Sequence, residues 1–408
     1  MRGTIGVVGG SMSGLTVGLL LRRRGWDVHI FERTGEQLAS RGAGITPHKE
    51  LFDAFRQAGA EIQTAMGVEA HGRTLFSQDG EIVARIEAPQ LFTSWGLLYR
   101  FLRTKFPDDR YHNGVTVSAL ETMDDEAMVE FDDGSHQAFD WVIGADGLRS
   151  VVRESLFPEL QLNYTGYVAW RGLVPEARIP IKIGEQLRDR MAFYLPPGEH
   201  MLGYTVAGPK DTCVPGERFY NWVWYRPTPS GAAKTEMFTD NDGAYHPDGI
   251  APHQIRHSVT AAMRDDAQAL LPPQFQAVVH NTEHPFIQPV VELGSERLLF
   301  KRAALIGDAA FTARPHIGFG VSKAAGDAST LACAFEKPIR ERSTALYEWE
   351  QERLRVGRAL LKRSADLGCY LSGPPQNKKE AARFEEFRQP DVLLHGIAAI
   401  NPYEFLED

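Results

Sequence analysis

The chain has 408 residues, 43% of them hydrophobic and 24% charged, with a formal net charge of −9. That length calls for two domains or one large composite unit, and the acidic balance excludes nucleic acid as a partner, because neutralising phosphates takes surplus Lys and Arg. The three cysteines, Cys213, Cys333 and Cys369, are widely spaced and form neither a disulfide framework nor a metal-ligating pair, so a cytoplasmic protein without a metal site is expected.

Thr4 to Val8 is a short apolar, β-branched run, the pattern of a buried parallel strand. Gly9-Gly10-Ser11-Met12-Ser13-Gly14 follows, and Leu15 to Arg24 reads as a helix. Arg22, Arg23 and Arg24 complement the dipole at its C-terminus, ahead of Gly25. Asp27 to Phe31 is the second strand and ends on Glu32. Strand, glycine loop, helix, strand and acid in this register make a Rossmann unit. Its glycines let the backbone approach a pyrophosphate at the helix N-terminus, and its acid, about 20 positions on, binds the adenosine ribose. Ser11 stands where the middle glycine of G-x-G-x-x-G is usual. The candidate dinucleotide ligands are Gly9, Ser11, Met12, Ser13, Gly14, Glu32, Arg33 and Arg41, and the acid favours an unphosphorylated ribose, as in FAD or NAD.

His48, after Thr46-Pro47, either reaches the substrate side or caps a helix. Gly72 to Ile86 alternates apolar and polar positions around a turn at Asp79-Gly80, a first β excursion. Asp140 to Ile143 is a strand that turns through Gly144-Ala145-Asp146-Gly147 into a helix bearing Ser150 and Arg153. A longer β excursion comprises Tyr164 to Val174, Met191 to Ala207 and Arg218 to Tyr225, with a hairpin turn at Pro196-Pro197-Gly198-Glu199 that should leave His200 exposed. Phe219, Asn221, Val223 and Tyr225 alternate with Tyr220, Trp222 and Trp224, as in a sheet covering a pocket. Most of these aromatics suit a sheet core; Tyr204, Trp222 and Tyr225 are the candidates to line a flat aromatic site. Leu305 to Ala310 is a strand ending in the Gly307-Asp308 turn, and Pro315, Gly318 and Gly320 lead into a helix from about Ser322. His316, beside Pro315, is a candidate to bond or deprotonate a phenol. Ser343 to Leu367 reads as one long helix with a solvated charged face, Pro374-Pro375 breaks it, Ala381 to Arg388 is a further short helix, and the end reads as an extended tail. No apolar run has the length of a membrane span, and the first strand starts too early for a leader to precede it.

The Asp146-Gly147-x-x-Ser150-x-x-Arg153 stretch and the run from Gly307-Asp308 through Pro315 to Gly320, both downstream of the glycine loop, resemble class A flavin-dependent monooxygenases of the para-hydroxybenzoate hydroxylase type. Within that group, Val8 to Ser11, Gly166-Tyr167-Val168-Ala169-Trp170-Arg171-Gly172, Gly307 to Ala310 and Arg314-Pro315-His316 resemble the 2,6-dihydroxypyridine 3-hydroxylases. The resemblance covers about residues 1 to 335. It implies an α/β fold in which a Rossmann-like FAD-binding domain is interleaved with a β-sheet substrate domain and followed by a long C-terminal helix. The corresponding boundaries are 1–71, 96–163 and 286–335 for the FAD-binding parts, 72–95 and 164–285 for the substrate parts, and 336–408 for the helical end.

The resemblance also implies residue roles. Asp146, Gly147 and Arg149 lie near the FAD pyrophosphate, Gly307 and Asp308 on the ribityl chain, and Pro315 beside the isoalloxazine. Gly318, Gly320 and Val321 open a helix whose N-terminus stabilises the anionic reduced ring. Tyr99 or Arg100 is the counterpart of the family's arginine, and Arg100 joins the candidate ligands. FAD would be tightly but non-covalently bound, NADH or NADPH would visit as co-substrate, and O2 would add to give a flavin C4a-hydroperoxide whose distal oxygen is transferred to an electron-rich hydroxylated aromatic or pyridine ring. Pro315, His316, Tyr204 and Tyr225 are the candidate catalytic residues. A homodimer is left open. Two rival readings are a flavin-dependent halogenase, from the partial likeness of Trp222-Val223-Trp224-Tyr225-Arg226-Pro227 to a Trp-x-Trp-x-Ile-Pro motif, and a non-catalytic FAD-binding redox protein.

Overall fold

The computed structural model describes residues 2–35, 44–60 and 67–399. Two sheets carry the architecture. The first has six strands in the order Leu299–Phe300, Ala303–Leu305, Trp141–Gly144, Thr4–Val8, Asp27–Glu32 and Tyr111–Asn113. All its pairings are parallel except that of the edge strand Leu299–Phe300. The register places Val8 beside both Phe31 and Gly144, and Gly144 beside Leu305. The loops after these strands, at Gly9, Glu32, Asp146 and Asp308, therefore emerge at one sheet edge, the edge where open α/β sheets bind ligands. Helices Met12–Arg23 and Gly320–Glu336 pack together against this sheet.

The second sheet has nine strands, in the order Phe311–Thr312, Phe286–Gly294, Asn163–Pro175, Phe219–Pro227, His200–Val206, Arg190–Tyr194, Val68–Phe76, Ile82–Ser94 and Gly44–Ile45. Both β excursions of the sequence join this single sheet. The alternation has two different faces. Trp170, Tyr220, Trp222 and Trp224 are buried with residues of helices His257–Leu270 and Pro273–His280. Tyr167, Tyr204, Val223 and Tyr225 face the other way. His200 is not exposed: it is fully buried inside its strand, and its Nδ1 lies 3.0 Å from the Tyr370 hydroxyl.

The C-terminal region also departs from expectation. The long helix runs Ile339–Leu367, and its charges are not all solvated: Arg353 is buried and its Nε donates to Asp327 Oδ1 at 2.7 Å. After Lys378–Phe387 the chain forms a helix, Pro390–Gly396, rather than an extended tail. Buried Arg73 holds that segment from beneath, donating to the carbonyls of Leu394, Ile397 and Ala398 at 2.7 to 2.8 Å. Apolar periodicity could not show this, because the contacts are backbone carbonyls meeting one distant guanidinium.

Candidate functional site

The sheet edge opens into a cleft of about 320 Å³ lined by Gly9, Ser11, Met12, Ser13, Glu32, Arg33, Trp95, Asp146, Gly147, Arg149, Asp308, Gly320 and Val321 among others. Close packing makes it possible. A Cβ on Gly14 would lie 1.8 Å from the Gly9 carbonyl oxygen, so only glycine lets the helix sit this near the loop. A Cβ on Gly10 would lie 2.2 Å from the Tyr111 hydroxyl. The Tyr111 hydroxyl donates to the Gly10 carbonyl at 2.8 Å, and the Gly10 N–H donates to Glu32 Oε2 at 2.8 Å. Glu32 also accepts from the Thr34 N–H at 2.9 Å, so the acid that faces the cleft also braces its glycine loop.

The three motifs are tied to one another. Ser150 caps helix Val151–Leu156 by accepting from the Arg153 N–H, and its hydroxyl donates to Asp146 Oδ1 at 2.6 Å. Asp146 Oδ2 accepts from the Val152 N–H. The Asp146 carboxylate thus lines the cleft while organising its own turn. Arg153 reaches across to the Ala309 carbonyl at 3.2 Å, joining this turn to the Gly307-Asp308 turn. Gly307 has φ +60°, and a Cβ there would meet Ser13 Oγ at 2.4 Å. Its N–H donates to Asp327 Oδ2 and its carbonyl accepts from Lys323 Nζ at 2.7 Å. Gly14 and Gly307 therefore build the cleft from behind rather than lining it.

The Asp308 carboxylate lines the open cleft and has no hydrogen-bond partner among the described residues. The side chain is open to the cleft, yet the protein packed around it still pushes its carboxyl pKa up, with Lys323 pulling the other way and Asp327 adding to the rise. Helices Met12–Arg23 and Gly320–Glu336 both begin at the cleft with no side-chain cap and no acid in the first turn. Their first N–H groups are free for anionic ligand atoms at two separate points. This pair of uncapped helix starts, with an unpartnered carboxylate beside one of them, fits a long ligand that carries anionic and hydroxyl groups at separate points, as a flavin dinucleotide does.

A second cavity, of about 1210 Å³, continues from the cleft and is walled by the nine-stranded sheet. Trp95, Asp308, Gly320 and Val321 line both spaces. Pro315, His316, Gly318, Tyr204 and Tyr225 face the second cavity, as do Arg171, Ile397 and Ala398. Tyr204 stacks on Phe92 at 4.2 Å between ring centroids, and Tyr225 meets His316 edge-on at 4.6 Å. Neither tyrosine hydroxyl has a partner among the described residues. His316 is buried, with Nε2 2.8 Å from the Tyr167 hydroxyl. Burial, and then the nearby His200 and Arg314, hold its pKa well below the usual value. It is neutral at physiological pH but a poor proton acceptor, which suits a hydrogen-bonding role better than a basic one.

Other expected residues lie elsewhere. Trp222 is fully buried on the far face of its sheet, donating to Thr282 Oγ1 at 2.8 Å, because strand alternation turns it away from Tyr225. Arg100 is ion-paired with Asp211 and lines neither cavity; from its helix it is Trp95 that reaches them. His48 is buried, with Nδ1 3.1 Å from Ser322 Oγ and Nε2 2.9 Å from the Ala399 carbonyl, away from the substrate side and without capping its helix by its side chain. Arg41 lies outside the described residues. Sequence reasoning missed Trp95, Tyr167, Arg171, Ile397 and Ala398; of these only Tyr167 and Arg171 lie in a stretch it had singled out.

A family model described as FAD binding domain-like matches residues 164–292. The chain is 31% identical over 400 residues to 2,6-dihydroxypyridine 3-monooxygenase of Paenarthrobacter nicotinovorans, covering 96% of this chain and 98% of that protein. The chain belongs to the FAD-dependent aromatic monooxygenases. It is 29% identical to 3-amino-4-hydroxybenzoate 2-monooxygenase of Streptomyces cremeus, covering 97% and 95% of the two chains. The solved structure of 2,6-dihydroxypyridine-3-hydroxylase from Arthrobacter nicotinovorans superposes with a TM-score of 0.86 at 30% identity, over 93% of this chain and 96% of that one. As a member of this family the enzyme uses FAD with NAD(P)H as co-substrate. The halogenase reading gains no support from these relatives, and the tryptophans that prompted it are core residues. Among the described residues no helix is long and apolar enough to cross a membrane.

Proposed function

We propose that the enzyme hydroxylates a small hydroxylated aromatic or hydroxypyridine ring bound in the second cavity. The observation that carries this reading is the junction at Trp95, Asp308, Gly320 and Val321, where the dinucleotide cleft opens directly into a mostly apolar cavity. FAD, when bound there, would take two electrons from NAD(P)H and activate O2, one atom of which goes to the ring and the other to water. The chain's own residues do the rest. Gly9, Ser11, Met12 and Ser13 receive the pyrophosphate, and Asp308 receives a ribityl hydroxyl. The start of helix Gly320–Glu336 offsets negative charge on the reduced ring. Ile397, Ala398, Pro315 and the sheet keep water from the reacting oxygen, which would otherwise be lost as peroxide. Tyr204 and Tyr225 offer hydroxyls to the ring substituents, and His316 with Tyr167 fixes the cavity wall beside Pro315. The three cysteines, none in a disulfide, suit a reducing cytoplasm.

A panel of hydroxyarenes and hydroxypyridines, scored by NAD(P)H oxidation with peroxide measured in parallel, tests the reading. At least one ring should speed NAD(P)H oxidation and yield hydroxylated product. Turnover of ketones or alkanes with every hydroxyarene inert would overturn it.

A further inference from the structure

Behind the Gly307-Asp308 turn lies a buried cluster of charge that takes no part in the proposed reaction. Asp327, Lys323 and Arg353 are 2%, 3% and 5% exposed. The Asp327 carboxylate accepts from three donors: the Gly307 N–H at 3.0 Å, Lys323 Nζ at 2.8 Å and Arg353 Nε at 2.7 Å. Lys323 Nζ also donates to the Gly307 carbonyl at 2.7 Å. Burial alone would raise the Asp327 pKa, but Lys323 and Arg353 hold it below the ordinary carboxylate value, so the cluster is charged. The Trp349 indole N–H donates to the Asp327 carbonyl at 3.3 Å, so the long helix Ile339–Leu367 grips the same residue twice.

Such a cluster is a poor source of stability. Desolvating its charges costs about as much as their mutual attraction returns, and apolar side chains of similar volume commonly serve a core as well. What it does supply is direction. It holds Gly307 by both its N–H and its C=O. Gly307 has φ +60°, in the left-handed region, and the peptides on either side of a glycine rotate more freely than any others. The carbonyl that Lys323 holds belongs to the peptide joining Gly307 to Asp308, so the clamp orients the backbone that carries Asp308. On the far side, Arg153 Nη1 fixes the Ala309 carbonyl at 3.2 Å. The backbone of Asp308 is thus tied on both flanks while its carboxylate stays open to the cleft.

We propose that Lys323 and Asp327 are positioning residues for FAD that act through Asp308, holding its carboxylate where a ribityl hydroxyl meets it. The proposal rests on the reading of Asp308 as acceptor for that hydroxyl and adds what keeps the acceptor in place.

The test is a double-mutant cycle on FAD affinity, read in the full-length holoenzyme from the fluorescence of FAD released on serial dilution. Lys323→Met leaves Asp327 its bonds to Arg353 and Gly307, and Asp327→Asn removes the opposite charge. Each should weaken FAD by about tenfold in the parent, the loss expected when a charge-assisted hydrogen bond is misaligned. In an Asp308→Ala background the acceptor is already gone, and each should weaken FAD by less than about threefold. A purely electrostatic action would move the two variants in opposite directions, because one loses a cation and the other an anion. A purely structural one would weaken FAD by the same factor in both backgrounds. Either result overturns the proposal, as does an unchanged dissociation constant in either single variant. Should one variant fail to fold, the cycle with the other decides; should both fail, the cluster is a stability element and the proposal is wrong. If Asp308→Ala itself leaves FAD affinity unchanged, the reading of Asp308 as ribityl acceptor falls and the proposal with it. A weakened Asp308→Ala with additive partners overturns the positioning role alone.

Discussion

The dinucleotide cleft and the substrate cavity share four residues but are made of different material. The cleft is mostly backbone: glycines that admit no Cβ, two uncapped helix starts, and turns braced by Glu32, Asp146 and Arg153. The cavity is mostly side chains, drawn from strands of a sheet that the chain enters three times and from the segment around Ile397 and Ala398. A ligand held by backbone requires particular residues at fixed spacings, whereas one held by side chains can be met by many combinations. The first region should therefore fail sharply under single substitutions, and the second by degrees.

The largest effect is expected at Gly14. A methyl group there collides with the Gly9 carbonyl oxygen, so Gly14→Ala must push the helix off the strand. Overpacking against backbone, combined with the lost pyrophosphate site, should cost at least ~4 kcal/mol, about a thousandfold in FAD affinity. Flavin absorbance per mole of purified protein checks this, and a normally yellow variant would break the backbone account. Next is Arg73→Met, which strips the Arg73 donors from the Leu394 and Ile397 carbonyls and from Gln90 Oε1, and leaves the Ala398 carbonyl only its bond from Gln90 Nε2. At about 1–3 kcal/mol for each group left unsatisfied, several kcal/mol of stability should go. The loosened wall should also send NAD(P)H electrons to peroxide rather than product. Unchanged coupling would show that the C-terminal segment does not seal the cavity. Asp308→Ala should follow, weakening FAD by tenfold to a hundredfold through loss of a charge-assisted bond of ~1.5–3 kcal/mol. An unchanged FAD dissociation constant would make that turn purely structural.

Much of the cleft was legible because its chemistry is local in sequence. The βαβ unit, the Asp146-Gly147 turn and the Gly307-Asp308 turn each announce themselves, and parallel register alone brings them to one edge. The sheet was legible as alternation, and so was the division between Tyr225 and its neighbouring tryptophans. What alternation cannot tell is which face meets the cavity, and so Trp222 stays beside Tyr204 and Tyr225 among the lining candidates although only the tyrosines are catalytic candidates; the helices His257–Leu270 and Pro273–His280 cover the face that carries Trp222. Arg100 misled because a helix-borne arginine near the cleft can equally find a surface acid, here Asp211. The role of the chain end was invisible, since its partners, Arg73, Gln90 and His48, lie some 300 positions earlier.

Two smaller effects sharpen the contrast. The substrate side and its surroundings bury neutral histidines: burial lowers the pKa of His48 to about 4 and of His200 to about 3, and that of His316 falls well below 6.5. Between pH 6.5 and 4 the unfolded chain takes up these protons and the folded chain does not. Stability contributed by the neutral forms is thus complete above pH 6.5 and lost as pH falls, by up to about 1.4 kcal/mol per pH unit for each buried ring. Urea midpoints at pH 7 and pH 5 read the slope, and His200→Phe should flatten it; an identical slope in the variant would contradict the burial. Smallest of all, Trp222→Phe should lose about 1 kcal/mol with its bond to Thr282 and leave kcat unchanged. A turnover defect would bring Trp222 back into the site.

The account's central claim is that the cleft and the cavity serve one reaction across their common wall. The most direct measurement is the stoichiometry of product to NAD(P)H consumed, in the parent enzyme loaded with FAD and supplied with 2,6-dihydroxypyridine and its relatives in turn. The account predicts that for at least one hydroxylated ring, hydroxylated product approaches one per NAD(P)H oxidised, with little peroxide. If every ring leaves NAD(P)H oxidation unstimulated, or all electrons emerge as peroxide, the two spaces do not work together and the claim is wrong.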